Sequence, residues 1–119
     1  MGTFAASVEI GDLQGRRFQP LETLVDTGAT YTRVPRTILE HLGVTPQERW
    51  PFRIADERRV EYEVGQAQVR IEGRTRYTVV VFGEPGSSGL LGAVTLEEFG
   101  LGVDPINRRL VPIPALLML

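Results

Sequence analysis

Leu24-Val25-Asp26-Thr27-Gly28-Ala29 constrains this chain more than any other stretch. An apolar, β-branched run that ends in an acid and then a glycine reads as a core strand breaking sharply into a loop. The carboxylate of Asp26 is thereby expected at the junction, held by packing and partly shielded from water. A charge placed there is costly unless it has hydrogen-bond partners or a chemical task. Asp-Thr-Gly also makes an ordinary turn, so the tripeptide needs support from the remaining sequence.

Most of that sequence reads as strand. Phe4 to Ile10 alternates loosely and turns at Gly11-Asp12, and a second strand lies within Gln14 to Val25. Thr32-Arg33-Val34 is extended, Pro35 opens a helix through about Leu42, and Gly43 ends it in the left-handed conformation. Two polar-rich strands fill Arg53 to Val64 around a hairpin tip at Ala55-Asp56-Glu57. Gln66 to Glu72 alternates with period two, turns at Gly73-Arg74 and returns as Tyr77 to Phe82. In the returning strand, Val79-Val80-Val81 implies cover on both faces. Glu84 to Gly89 is a loop. Thr95 with Glu98 forms a capping-box pattern that predicts the start of a second short helix. No internal repeat is visible.

Composition narrows the function classes. The 119 residues make one domain with a modest core. A net charge of −2 gives no reason to expect nucleic acid or an anionic membrane as partner. All 13 basic residues are Arg, scattered among acids, and Tyr31, Tyr62 and Tyr77 form no stacking platform for single strands. The chain has no cysteine and one histidine, His41, read as a surface or boundary residue of the first helix. A Ser-His-Asp arrangement built on any other histidine is thus excluded, and neither a metal nor a cofactor is expected. Gly83 to Gly89 lacks the lysine and following helix of a phosphate loop. No basic-then-apolar leader precedes Ser7, and Leu116 to Leu119 is too short to span a bilayer, so a cytoplasmic location without membrane contact is expected.

A second apolar-apolar-Gly segment, Leu90-Leu91-Gly92, follows Asp26 in the second half of the chain. The order of parts runs Leu24 to Ala29, a hairpin within Phe52 to Val64, strands within Ala67 to Phe82, then Leu90 to Gly92. A helix over Thr95 to Gly100 and a terminal strand at Arg109 to Pro112 complete it. In this order, over nearly its whole length, the chain resembles the retroviral-type (retropepsin-like) single-domain aspartic proteases, including their bacterial relatives. The resemblance implies a mostly β fold over residues 1–119: a closed acid-protease β-barrel monomer with one or two short helices, a flap hairpin and a homodimeric assembly. It implies an aspartic endopeptidase acting on peptides or unfolded protein. Asp26 would be the catalytic acid/base, and Thr27, Gly28 and Ala29 would complete the active loop. Thr27 would bond across the dimer axis, and Gly28 would let the backbone approach the carboxylates. Leu90, Leu91 and Gly92 would pack beneath as structural support. Ile54, Ala55, Asp56, Glu57 and Arg58 would form the flap over the substrate.

That chemistry needs two carboxylates sharing one proton, with a water between them that attacks the scissile carbonyl. The chain has one Asp-Thr-Gly. Asp12 and Asp56 lie beside turn tips and Asp104 precedes a proline, so none of them offers a second copy. A two-fold homodimer that brings two Asp26 together is therefore required. The apolar tail Leu110 to Leu119 suits such an interface, or equally a strand that closes its own monomer.

Several positions depart from the family pattern. Ala29 supplies no hydroxyl to the ionised pair, which predicts a mildly acidic to near-neutral optimum. Thr30 and Tyr31 replace acids that hold the substrate backbone in retroviral enzymes. No glycine lies between Gly43 and Gly65, so the flap tip is charged. Trp50 before Pro51 reads as a packing residue, with a substrate-facing role as the alternative. The unusual flap also leaves open a second function: a catalytically weak or inactive dimerisation or peptide-binding module of the same fold. A domain cut from a longer polypeptide is a third possibility.

Overall fold

The computed structural model describes residues 3–114. Strands β1 (Phe4–Gly11) and β2 (Phe18–Val25) form an antiparallel hairpin registered from Phe4↔Val25 to Gly11↔Phe18. Asp12 closes its turn, its Oδ1 accepting the N–H groups of Arg16 at 2.8 Å and Arg17 at 3.2 Å. After the Asp26 loop come β3 (Thr32–Pro35), helix α1 (Arg36–His41), β4 (Glu48–Arg53), β5 (Arg59–Ile71), β6 (Arg74–Gly83) and β7 (Gly89–Leu91). Helix α2 (Ala93–Glu98), β8 (Leu101–Asp104) and β9 (Arg109–Pro112) complete the described chain.

Six strands close into a barrel in the order β1-β2-β7-β3-β6-β5, with β5 returning to β1 through Glu9↔Arg70, Ile10↔Val69 and Gly11↔Gln68. The alternating residues face inward as the period-two pattern requires: Ile10, Val34, Ala67, Val69, Val80 and Leu91 are completely buried. Leu39 from α1 and Leu96 from α2 join the same buried core. Strand β4 pairs only with the first half of β5, so the β4–β5 hairpin projects beyond the barrel.

The mostly β, closed-barrel fold is the one expected, with corrections in detail. Gly65 does not separate two strands: β5 runs unbroken through it. Its glycine is needed because a Cβ would stand 2.9 Å from the Thr45 carbonyl oxygen, where the chain crosses. Pro35 ends β3 and caps α1 from outside instead of entering its first turn. Gly43 takes φ +77 just past the helix, as expected. The capping box at Thr95 and Glu98 is absent, since α2 begins two residues earlier behind Gly92 and has no side-chain cap.

Thr95 is instead wholly buried. Its hydroxyl lies 2.6 Å from that of Thr32 on β3 and 2.9 Å from that of Thr78 on β6, while Thr32 Oγ1 accepts the Gly92 N–H at 3.1 Å. The three threonines satisfy one another where water does not reach, and so tie α2 to two strands. Strand β8 was not foreseen at all. It pairs with β9 in a separate two-stranded sheet whose turn is organised by Asp104. Residues 115–119 of the apolar tail lie outside the described residues. The part that is described pairs within its own chain, through β8, and does not close the barrel.

Two outcomes follow from these contacts. Thr95→Val strands the Thr78 hydroxyl and half of Thr32's bonding capacity, so it should cost about 1–3 kcal/mol in urea unfolding, with an unchanged m-value. Asp104's carboxyl is held below its ordinary value first by the Asn107 side chain, 2.8 Å away, and then by the Asn107 and Ile106 N–H groups. A lowered folded value means stability that is present above about pH 4 and lost as pH falls through that value. Asp104→Asn should therefore destabilise at neutral pH, with the gap from wild type closing toward pH 2 in thermal unfolding.

Candidate active site

Asp26 sits where β2 leaves the barrel wall, and the chain on both sides of it is clamped. Its N–H donates to the Leu91 carbonyl at 3.1 Å, its carbonyl accepts the Ala29 N–H at 3.1 Å, and its Oδ1 accepts the Gly28 N–H at 2.9 Å. The side chain is half-buried, with no ion pair among the described residues. A carboxylate oriented by a backbone N–H while one oxygen stays open is suited to taking or giving a proton. Gly28 permits this approach, because a Cβ there would stand 3.2 Å from Asp26 Oδ1. Ala29 offers the carboxylate only a methyl group, and Thr27 is exposed.

Beneath the loop, β7 inserts between β2 and β3. It runs parallel to β2 (Val25↔Leu91) and antiparallel to β3 at Arg33↔Leu90. The loop then locks onto the start of α2, as Ala93 N–H donates to the Ala29 carbonyl at 2.8 Å and Val94 N–H to the Thr30 carbonyl at 2.9 Å. Gly92 passes so close to Tyr31 that a Cβ would lie 2.6 Å from its carbonyl carbon and oxygen. Leu91 and Gly92 are buried beneath the loop, whereas Leu90 is half-buried and reaches the open side.

That open side is a cleft of about 240 Å³. Its floor is Gly28 to Tyr31 with Leu90, and its roof is Phe52, Arg53 and Ile54 from the β4–β5 hairpin. Of the expected flap residues, Ile54 meets the cleft. Ala55, Asp56, Glu57 and Arg58 are exposed at the tip and do not line it. The tip holds its shape without glycine. Glu57 takes φ +69, its N–H donates to the Ile54 carbonyl at 2.8 Å, and Asp56 binds the Arg58 guanidinium at 2.7 Å.

Four aromatic rings join roof to floor. Tyr31, the residue after Thr30 in the active loop, lies 5.4 Å from Trp50 and 6.4 Å edge-on to Phe52, and Phe52 lies 5.9 Å from Tyr62. Such pairs are worth roughly 0.5–1.5 kcal/mol each beyond the area they bury. Trp50 packs against the rings of Tyr31 and Phe52. Sequence reasoning left Arg33, Tyr62 and Val81 out of the site. The spacing Trp50-x-Phe52 on β4 carried part of the signal, since alternate residues of a strand share a face, whereas Tyr62 and Val81 reach the cleft through strand pairing.

Residues 6–98 match the family model described as "gag-polyprotein putative aspartyl protease". The chain belongs to this family of aspartyl proteases. Its barrel is similar to that of simian foamy virus (mac) protease in solution, with a TM-score of 0.57 and 21% identity over 81% of this chain and 94% of the viral one. It is likewise similar to EIAV protease complexed with the inhibitor HBY-793, with a TM-score of 0.59 and 20% identity over 83% and 89% of the two chains. A Legionella pneumophila protein of unknown function matches at a TM-score of 0.55 and 14% identity, over 92% of this chain and 95% of that one. No curated protein sequence matches. These likenesses establish the retropepsin-like fold of this family member.

Among the described residues no three His, Cys, Asp or Glu side chains gather as metal ligands, and no helix is long and apolar enough to cross a membrane. His41 is exposed at the end of α1.

The aromatic contacts make the hairpin's position testable. Phe52→Ala removes the ring that touches Tyr31, Trp50 and Tyr62, while the barrel hydrogen bonds remain. Amide exchange at Ile54 and Glu57 should accelerate about tenfold or more, with little change in global unfolding.

Proposed function

We propose that this aspartyl protease family member is a homodimeric endopeptidase, in which two Asp26 carboxylates, one from each subunit, share a proton and activate a water against a peptide carbonyl. The observation that carries the reading is the clamped Asp26 loop. Its carboxylate is aimed by the Gly28 N–H, half-open, and set beside a cleft roofed by a hairpin. One carboxylate alone cannot both take the water's proton and donate to the carbonyl oxygen. A protonated partner beside an ionised one does both, and like charges held close keep that single proton in place.

Supporting features come from the rest of the loop. Thr27 is exposed, so its hydroxyl is free to bond its counterpart across a two-fold axis. Among the described residues strand β9 pairs with β8 on one side only, and such an edge can accept a strand from a second subunit. The role of the hairpin is to close over an extended peptide, exclude water and supply backbone hydrogen bonds from its β4 arm.

Incubation with unfolded casein across about pH 3 to 8 tests this, with Asp26→Asn as control. Cleavage should fall at least about a thousandfold in the variant, while its fold and sedimentation behaviour match the wild type. Undiminished cleavage would remove Asp26 from the chemistry. A wild type that dimerises and binds peptide but cuts at no pH would establish the non-catalytic binding module instead, a reading the glycine-free tip at Glu57 favours.

A further inference from the structure

The charges around the cleft do not follow the charge of the whole chain. The protein carries a net −2, yet the charged side chains that line the cleft are arginines, Arg33 and Arg53. Arg33 is fixed in place: Nε and Nη2 both donate to the Ser88 carbonyl, at 3.1 and 2.8 Å. That arrangement leaves three of its five N–H donors unused, on a rigid planar group that prefers to grip a carboxylate. Across the hairpin, Arg53 stands directly opposite Arg59, and like charges in that position destabilise a strand pair. Of the acids nearby, Asp56 is taken by Arg58 and Glu61 by Arg49, while Asp26 and Glu57 are in no ion pair, and none of Arg33, Arg53 and Arg59 is ion-paired among the described residues.

We propose that the cleft selects peptides bearing an acidic side chain next to the apolar residues at the cleavage point, with pinned Arg33 as the group that grips the carboxylate. Arg53 and Arg59, facing each other across the hairpin without an acid between them, gain a counter-charge when such a peptide arrives. The apolar part of the preference comes from Leu90, Val81 and Phe52, which line the same space. This selectivity rests on the peptidase reading for where the peptide lies, but not on turnover.

The test uses the intact protein and peptides of about eight residues centred on Leu-Phe. Glu or Gln is placed in turn at each of the two positions on either side of the centre. One set carries an uncleavable reduced bond and is titrated by the fluorescence of Trp50, the single tryptophan, which sits in the ring cluster above the loop. At one position or more, Glu should bind about tenfold or more tightly than Gln at 50 mM salt. The advantage should shrink severalfold at 500 mM. It should vanish in Arg33→Gln, whose Gln-peptide affinity reports whether the cleft is intact, and Arg53→Gln, at an exposed position, should reduce it. Equal affinity of Glu and Gln peptides at every position, or no binding of either, overturns the proposal. Cleavable versions separate the two readings: cutting without acid preference leaves the peptidase and removes the selectivity, and acid-selective binding without cutting does the reverse.

Discussion

Strand β7 runs between the two arms of the Asp26 loop, and the position of the carboxylate depends on that insertion. Leu91 gives its carbonyl to the Asp26 N–H, and one residue later the Gly92 N–H reaches Thr32 Oγ1 on the far arm. Both ends of the loop are therefore set against the same three-residue strand. From Thr32 the bonding passes through Thr95 to Thr78, deep in the barrel. A buried hydroxyl without a partner costs on the order of 1–3 kcal/mol, so each member of this chain enforces the others' placement. In this arrangement all of the loop's supports are satisfied together.

The hairpin above the loop is held differently. Its strands have no barrel partner beyond the first half of β5, and its link to the floor is the contact of Trp50 and Phe52 with Tyr31. Ring contacts are less directional than hydrogen bonds. The carboxylate below is thus held by hydrogen bonds and the roof above it by ring packing. Tyr31 belongs to both parts: its backbone is pressed against Gly92 and its ring against the roof.

What could be read from residues alone follows how local the signal was. The strand into Asp26, the turn at Gly73 and the left-handed Gly43 are set by neighbouring residues, and each lies where it was expected. Gly65 misled because its cause, the crossing of Thr45, comes from twenty residues away. Thr95 misled because a hydroxyl three residues before an acid is a cap only if it faces the helix end, and this one faces Thr32 and Thr78. Strand β8 is short, glycine-containing and half-buried, with little alternation to announce it. Within the candidate site, the turn at Asp26 and its contact with the Gly28 N–H follow from the local motif. The orientation of Arg33 depends on the distant Ser88 carbonyl.

The central claim is that one working site needs an Asp26 from each of two chains. Subunit mixing tests it most directly. Wild type and Asp26→Asn chains are mixed in equal amounts, allowed to exchange partners fully, and assayed for peptide cleavage. If a hybrid pair with one carboxylate is inactive, activity per wild-type chain falls to about half, and total activity falls with the square of the wild-type fraction. Activity that instead stays proportional to the wild-type fraction, with none lost per wild-type chain, would contradict the account, because each chain would then be working alone.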